Sequence, residues 1–597
     1  MKFKNHNQFS NNSYNRSASY KKAKQRKIPL SASYSSHFKT THEDCSFYVW
    51  RFRLILILLS IIFILLITRL VYLNIIDRNF LSKQGNARSM RIINIPAYRG
   101  MILDRNDEPL AVSTPVDSVW INPQDFPNTT QNKREISQLL HISPYRIKKL
   151  LRKNAKREFV YIKRSINPAT ATSIKQLSIP GVYLEQGYKR YYPESESAAH
   201  VVGFTNIDDK GQEGLELAYN NWLSGKPGKQ RVLKDRFGHI VAIMADIHPA
   251  KSGHDLTLSI DNRIQFLAYQ ALKETVQQYK ADSGSVVILD PRKGEILAMV
   301  NQPSFNPNKR PNHDYGQFRN RAITDIFEPG STMKAFSIAS ALDSGKYTPD
   351  TIIDTNPGWF MVGHNKVQDE NLNHGKITVT QVLQKSSNVG VAKMTLSLPP
   401  DHFIDLLQRI GFSERTRSGF PGESAGILKE QSVEHPFNLA TLAFGYGISV
   451  TPLQLAQAYG IISNDGLKCP ITFLKQDDNP SCTSVMKTKV AHEMLDMLES
   501  VVQDGTGTRA KVAGYRIAGK TGTAHIASIH GYNKNSDMAS FVGIAPASNP
   551  KLVVAVVIRN PKSDYYGAIV AAPTFAKIMG GALRILDIAP DKNKLKT

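Results

Sequence analysis

The sequence predicts an α/β (α+β) chain. An antiparallel sheet with helices on both faces is joined to an elongated mixed module and preceded by one N-terminal apolar helix. Three observations predict this. Residues 54–67 are apolar and free of charge. Residues 285–289 and 296–300 read as a hairpin around Asp290-Pro291-Arg292-Lys293-Gly294, and 516–524, 541–545 and 552–559 read as consecutive strands. Apolar residues at helical spacing follow Ser331 and recur over 573–586, so that helices can cover the sheet.

The elements follow in chain order. Residues 1–46 are rich in Ser, Asn, Tyr and Lys without apolar periodicity, which predicts a disordered basic tail. Its Lys21–Lys27 cluster can touch anionic lipid. Residues 47–76 are read as a membrane-crossing helix, whose 23-residue apolar span, 54–76, is interrupted only by Arg69, which can snorkel to the interface or face a partner helix. The first 53 residues hold eleven Lys or Arg against Glu43 and Asp44, so they carry +9 of the net +25. Basic residues on the N-terminal side of the span predict a cytoplasmic tail and an exterior remainder. Residues 77–255 alternate short strands (92–96, 119–121, 159–162) with amphipathic helices (143–153, 168–177) and carry no catalytic constellation. Residues 256–588 hold the sheet and its helices, and 589–597 form a short tail. The 597 residues, 41% of them hydrophobic, suffice for two or three globular units. The charge does not gather into a basic helix with base-reading aromatics, so no nucleic-acid partner is expected.

Chemistry is concentrated in three ordered segments: Ser331-Thr332-Met333-Lys334, Ser386-Ser387-Asn388 and Lys520-Thr521-Gly522-Thr523. Ser-x-x-Lys alone says little, because it also occurs at Ser19/Lys22, Ser36/Lys39, Ser484/Lys487 and Ser548/Lys551. Order and context carry the reading. Glu328-Pro329-Gly330 places Ser331 at a helix start, where unpaired N–H groups favour developing negative charge. Lys334 lies one turn on, on the same face. A serine hydroxyl needs such a base, and a lysine serves if burial or a second cation, here Lys520, lowers its proton affinity. Ser386 can relay a proton, and the Asn388 amide can hold a peptide backbone. Gly522 lets a substrate strand approach; Lys520, Thr521 and Thr523 can face its carboxylate, and the N–H groups of Ser331 and Thr523 can form an oxyanion hole. The bland alternatives are a capped helix start, a helix-to-helix turn and a glycine bulge at a sheet edge. This chemistry needs no metal or other cofactor, and neither Cys-x-x-Cys nor His-Glu-x-x-His occurs.

Together these motifs resemble those of the penicillin-binding proteins and serine β-lactamases. Residues 319–334, 384–391 and 444–456 resemble the active-site segments of the cell-division class B transpeptidases, the penicillin-binding protein 3 or FtsI family. Residues 99–106, Arg190-Tyr191-Tyr192-Pro193 and Gly203-Phe204-Thr205-Asn206 resemble that family's membrane-proximal pedestal or dimerisation-type module. Asp107 departs from the pattern, which usually has glycine there. The first 46 residues and the 469–482 stretch lie outside the resemblance.

The resemblance implies the penicillin-binding transpeptidase fold and a septal peptidoglycan D,D-transpeptidase. Ser331 would be acylated by a stem peptide on a lipid II-derived glycan strand, releasing D-alanine, and an amine of a neighbouring stem would resolve the ester. Lys334, Ser386, Asn388, Lys520, Thr521, Gly522 and Thr523 take the roles above, and Tyr446 would be an aromatic wall. β-Lactams would trap Ser331. A membrane-embedded SEDS-type glycosyltransferase and other divisome membrane proteins would be partners. The place implied is the inner membrane at the division septum, with the catalytic part periplasmic. The alternatives are an elongation-specific transpeptidase, a carboxypeptidase or β-lactamase, and a penicillin-binding sensor or scaffold without turnover. Cys469 and Cys482 would share an oxidising compartment, where they either pair or remain two buried thiols.

Overall fold

The computed structural model describes residues 46–592, apart from 236–239, 311–314, 371–372, 429–434 and 529–530. The expected disordered tail, with its lysine cluster, lies outside the described residues. The chain divides into a unit ending at Arg88 and a unit beginning at Ser89.

In the first unit, the helix Ser46–Val71 runs on as a π-helical turn, Tyr72–Ile76, before the helix Arg78–Ser89. Its apolar stretch Val49–Ile76 has 28 residues, none buried within the unit. At 1.5 Å per residue it is about 42 Å long, more than a hydrocarbon core about 30 Å thick. The Thr68 hydroxyl and Asn74 amide donate to carbonyls four residues back, so neither polar group is left unsatisfied on the apolar helix. The Arg69 guanidinium lies 5.2 Å from the Tyr72 ring centroid.

The second unit contains an antiparallel five-stranded sheet ordered Glu295–Gln302, Ser283–Asp290, Leu552–Arg559, Gly531–Ala545, Ala518–Ser528. Alternating side chains enter two cores. Val287, Leu289, Val553, Ala555 and Val542 join one, with the helices Lys334–Asp343, Pro452–Ser463 and Thr488–Asp504. Val286, Ile288, Val554, Val556 and Phe541 join the other, with Asn262–Gln278 and Gly567–Ile585. Helices therefore cover both faces, as the sequence predicts. The last helix begins at Gly567 rather than 573, so Pro573 lies inside it. Proline leaves the carbonyl four residues back without its helical donor. The Tyr279 hydroxyl, on the neighbouring segment, donates to that Ile569 carbonyl at 3.2 Å.

Upstream, the strand Pro109–Ile121 pairs with Val182–Tyr191, Val160–Ile166 and Ile102–Leu103. It is thirteen residues long, where the sequence suggested three. Ser113, Thr114, Pro115, Asp117 and Ser118 interrupt the apolar alternation that would have revealed it. The helices Pro144–Lys153 and Pro168–Gln176 form as expected, with proline in the first turn. The Arg99 and Arg190 segments meet at one buried carboxylate: Glu216 lies 2.6 Å from each guanidinium. Asp107 takes φ +65°, the left-handed region where glycine is usual. Asp104 fixes that turn by accepting from the N–H groups of Asn106 and Glu108.

The same turn joins the module to the sheet. Asp104 also accepts from the Asn262 N–H at 3.0 Å, and Arg105 reaches the buried Glu295 carboxylate at 3.3 Å. Glu295 in turn accepts from Gln476 N–H, within a loop closed by a disulfide between Cys469 and Cys482. The cysteines are thus paired. With a sequence separation of 13, loop closure is worth about 3 kcal/mol. Cys482→Ser is expected to lower the unfolding free energy by about that amount. Thiol titration of the unreduced, unfolded chain should find one free thiol of three.

Candidate active site

Ser331 sits in a 3-10 turn, Gly330–Met333, continued directly by the helix Lys334–Asp343. Gly330 adopts φ +54°, and its N–H donates to the Gly445 carbonyl at 3.2 Å. A side chain at Gly445 would meet Gly330 O at 2.1 Å, so backbone packs on backbone behind Ser331.

Lys334 is buried, and its Nζ lies 3.1 Å from Ser331 Oγ and 3.0 Å from Ser386 Oγ. Ser386 is held at φ +58°, a left-handed conformation costing a non-glycine residue about 1 kcal/mol. That conformation turns its carbonyl as well as its hydroxyl onto Lys334 Nζ. Ser387 is the N-cap of the helix Asn388–Leu396: its hydroxyl accepts from Gly390 N–H and donates to Asp369. Asn388 Nδ2 donates to the Gln368 carbonyl at 3.0 Å.

The third segment lies on the sheet's edge strand, Ala518–Ser528. Pairing is regular through Lys520, Thr521, Gly522 and Thr523, and the bulge comes later, between His525 and Ile526. A side chain at Gly522 would meet Ser540 Oγ at 2.3 Å and Pro329 O at 2.9 Å, and one at Gly330 would meet Thr523 O at 2.7 Å. Glycine here lets the strand lie against the Gly330–Met333 turn. Gly522→Ala is expected to push these segments apart by about 1 Å and slow acylation by a penicillin roughly 100-fold, with near-wild-type expression; stopped-flow labelling reads it.

One cavity contains most of these groups. Ser331, Lys334, Ser386 and Asn388 line it with Thr521 and Thr523. Lys520 is fully buried behind them, its Nζ 3.3 Å from Thr521 Oγ1 and 3.5 Å from Thr506 Oγ1. Gly522 contributes its absence of a side chain. Tyr446 stands outside the cavity lining, edge-on to Phe444 and Tyr532 at 5.9 and 5.4 Å. Sequence reasoning missed Asp369, Glu370, His374, Lys385, Thr506 and Tyr566, all of which line the cavity. Only Lys385 has a local signal, its adjacency to Ser386; the others arrive through tertiary folding.

Burial brings Lys334 down from 10.5 to about 8, against the opposing pull of Asp369 and Glu370. Burial, rather than Lys520, lowers the proton affinity of Lys334. Lys520 is held well below its ordinary value, first by burial and then by the Lys334 charge. Glu328 is pushed up by burial, while accepting from Gly447 N–H and the Tyr532 hydroxyl. The arrangement can therefore deprotonate a serine at a helix start, beside a hydroxyl placed to pass the proton onward.

This fold and cavity define a serine acyltransferase of the penicillin-binding type. The family model for the penicillin binding protein transpeptidase domain matches residues 284–580, and that for the penicillin-binding protein dimerisation domain matches 94–258. The probable peptidoglycan D,D-transpeptidase PbpC of Pseudomonas aeruginosa is 41% identical over 544 residues, covering 91% of this chain and 96% of that protein. Peptidoglycan D,D-transpeptidase FtsI of Escherichia coli is 38% identical, covering 93% and 95%. The crystal structure of penicillin-binding protein 3 from Mycobacterium tuberculosis with aztreonam superposes with TM-score 0.65 at 28% identity, covering 84% of this chain and 98% of that one. The chain belongs to the peptidoglycan D,D-transpeptidase family that includes FtsI.

Proposed function

We propose that this protein is the septal peptidoglycan D,D-transpeptidase of cell division and a target of β-lactams. The single observation carrying the mechanism is the convergence of Ser331, Ser386 and a buried Lys334 within about 3 Å. Neutral Lys334 takes the Ser331 proton, and Oγ attacks the penultimate D-alanine carbonyl of a donor stem. The N–H groups of Ser331 and Thr523 receive the oxyanion. Lys334 and Ser386 return the proton to the departing D-alanine. Thr521 and Thr523, with Lys520 behind them, hold the donor's terminal carboxylate; Asn388 holds its backbone, and Gly522 lets it lie along the edge strand. Tyr446, outside the lining, acts through its aromatic neighbours Phe444 and Tyr532 rather than as the cavity's wall. An amine then replaces Ser331 on the acyl carbon.

The apolar helix anchors the chain, with its basic N-terminal side in the cytoplasm and the catalytic part in the periplasm. Residues 77–255 act as a pedestal below a catalytic domain of 256–588. A SEDS-type glycosyltransferase and other divisome membrane proteins are the partners this anchor suits. The test is full-length protein in detergent with a D-alanyl-D-alanine donor. Release of D-alanine with cross-linked product supports the reading. Penicillin labelling without either product would make the protein a sensor, and round rather than filamentous cells on depletion would move it to elongation.

A further inference from the structure

We propose that Glu370 recruits the acceptor: its carboxylate, on the wall of the Ser331 cavity, binds the ammonium of the incoming amine and sets how often the acyl group passes to an amine rather than to water. The inference rests on the transpeptidase reading and deepens it.

A primary amine is almost wholly protonated at neutral pH. The second substrate therefore arrives as a cation, yet the cavity already presents the amines of Lys334 and Lys385. Like charges would repel it unless a carboxylate compensates. Two acids line the wall, Asp369 and Glu370. Asp369 is buried and committed: it accepts from the Ser387 hydroxyl at 2.8 Å and the Val389 N–H at 2.9 Å, with His374 Nε2 at 3.9 Å. Glu370, by contrast, is exposed. Its charge also raises the proton affinity of both Lys334 and Lys520, which puts it in electrostatic reach of the serine's base. It belongs to none of the three motifs that process the donor, as suits a group serving the other substrate.

The step balances as follows. The ammonium docked on Glu370 releases one proton, through that carboxylate, to water. The neutral amine forms a C–N bond to the acyl carbon, and the C–O bond to Ser331 breaks. A second amine proton passes by way of Ser386 and Lys334 to Ser331 Oγ. The third stays on the new amide.

The test uses the full-length protein, a D-alanyl thioester donor and two acceptors. One is the cationic Nε-amine of an Nα-acetyl-lysine amide; the other is hydroxylamine, which is neutral at pH 7.5. The readout is the ratio of aminolysis to hydrolysis. Glu370→Gln is expected to cut that ratio roughly five- to tenfold for the lysine amine while sparing the hydroxylamine ratio, and Glu370→Asp to restore part of it. An unchanged lysine ratio, or an equal fall for both acceptors, overturns the proposal. Penicillin labelling reports whether the variant folds. If it does not, wild-type protein decides: added salt should lower the lysine ratio alone, and a flat salt response overturns the proposal. Failure of wild-type protein to form a penicillin adduct would sink the transpeptidase reading itself, which separates the two.

Discussion

Replacing Ser331 by alanine is expected to abolish covalent labelling by a fluorescent penicillin, while the variant melts within a few degrees of wild type. The effect is all or none because the ester oxygen is the one removed. Ser331 is half-buried in a turn whose backbone is fixed by Gly330 and Gly445, so a side chain smaller by one oxygen leaves the scaffold intact. Intact-mass measurement on the wild type should find the adduct, and peptide mapping should place it at residue 331. An adduct elsewhere, or persistent labelling of the alanine variant, would refute the assignment of the nucleophile.

The second large effect concerns Lys334. With its proton affinity lowered to about 8, only about a tenth of the amine is neutral at pH 7. Acylation by a penicillin is expected to rise about tenfold per unit below pH 8 and to level off above it. Lys334→Arg should lose roughly 100- to 10,000-fold, since a guanidinium does not deprotonate in this range. A flat rate between pH 6 and 8 would remove Lys334 from the base role. The shift has a stability consequence of definite sign. Between about 8 and 10.5 the unfolded chain holds a proton that the native chain has released, so this group's contribution grows with pH across that window.

How much of this was readable beforehand differs by element. The hairpin of Ser283–Asp290 and Glu295–Gln302 was legible because an unbroken apolar run stood on each side of a turn. The strand Gly531–Ala545 begins ten residues before the expected 541, because its first half is polar and carries no alternation. The final helix was misplaced by a local rule: proline favours the first turn, but Pro573 sits inside because Tyr279 satisfies the carbonyl it orphans. In the site, Ser331 and Lys334 were readable from the order and local context of the three motifs, since their spacing recurs elsewhere in the chain. Asp369 and Thr506 were not, since each matters only through partners far away in sequence, Ser387 for one and Thr521 for the other. That Lys520 is buried behind Thr521 is likewise set by the surrounding sheet and helices rather than by its motif.

The catalytic sheet ends at Ala518–Ser528, and among the described strands nothing pairs with that strand's outer side. A border that must admit a peptide at each turnover cannot be sealed with a permanent neighbour. Bare strand borders invite other copies to dock and stack. The polar amine of Lys520, buried inward from that border, is a deterrent compatible with staying open. Replacing it with an apolar residue of similar length should therefore cost solubility as well as chemistry.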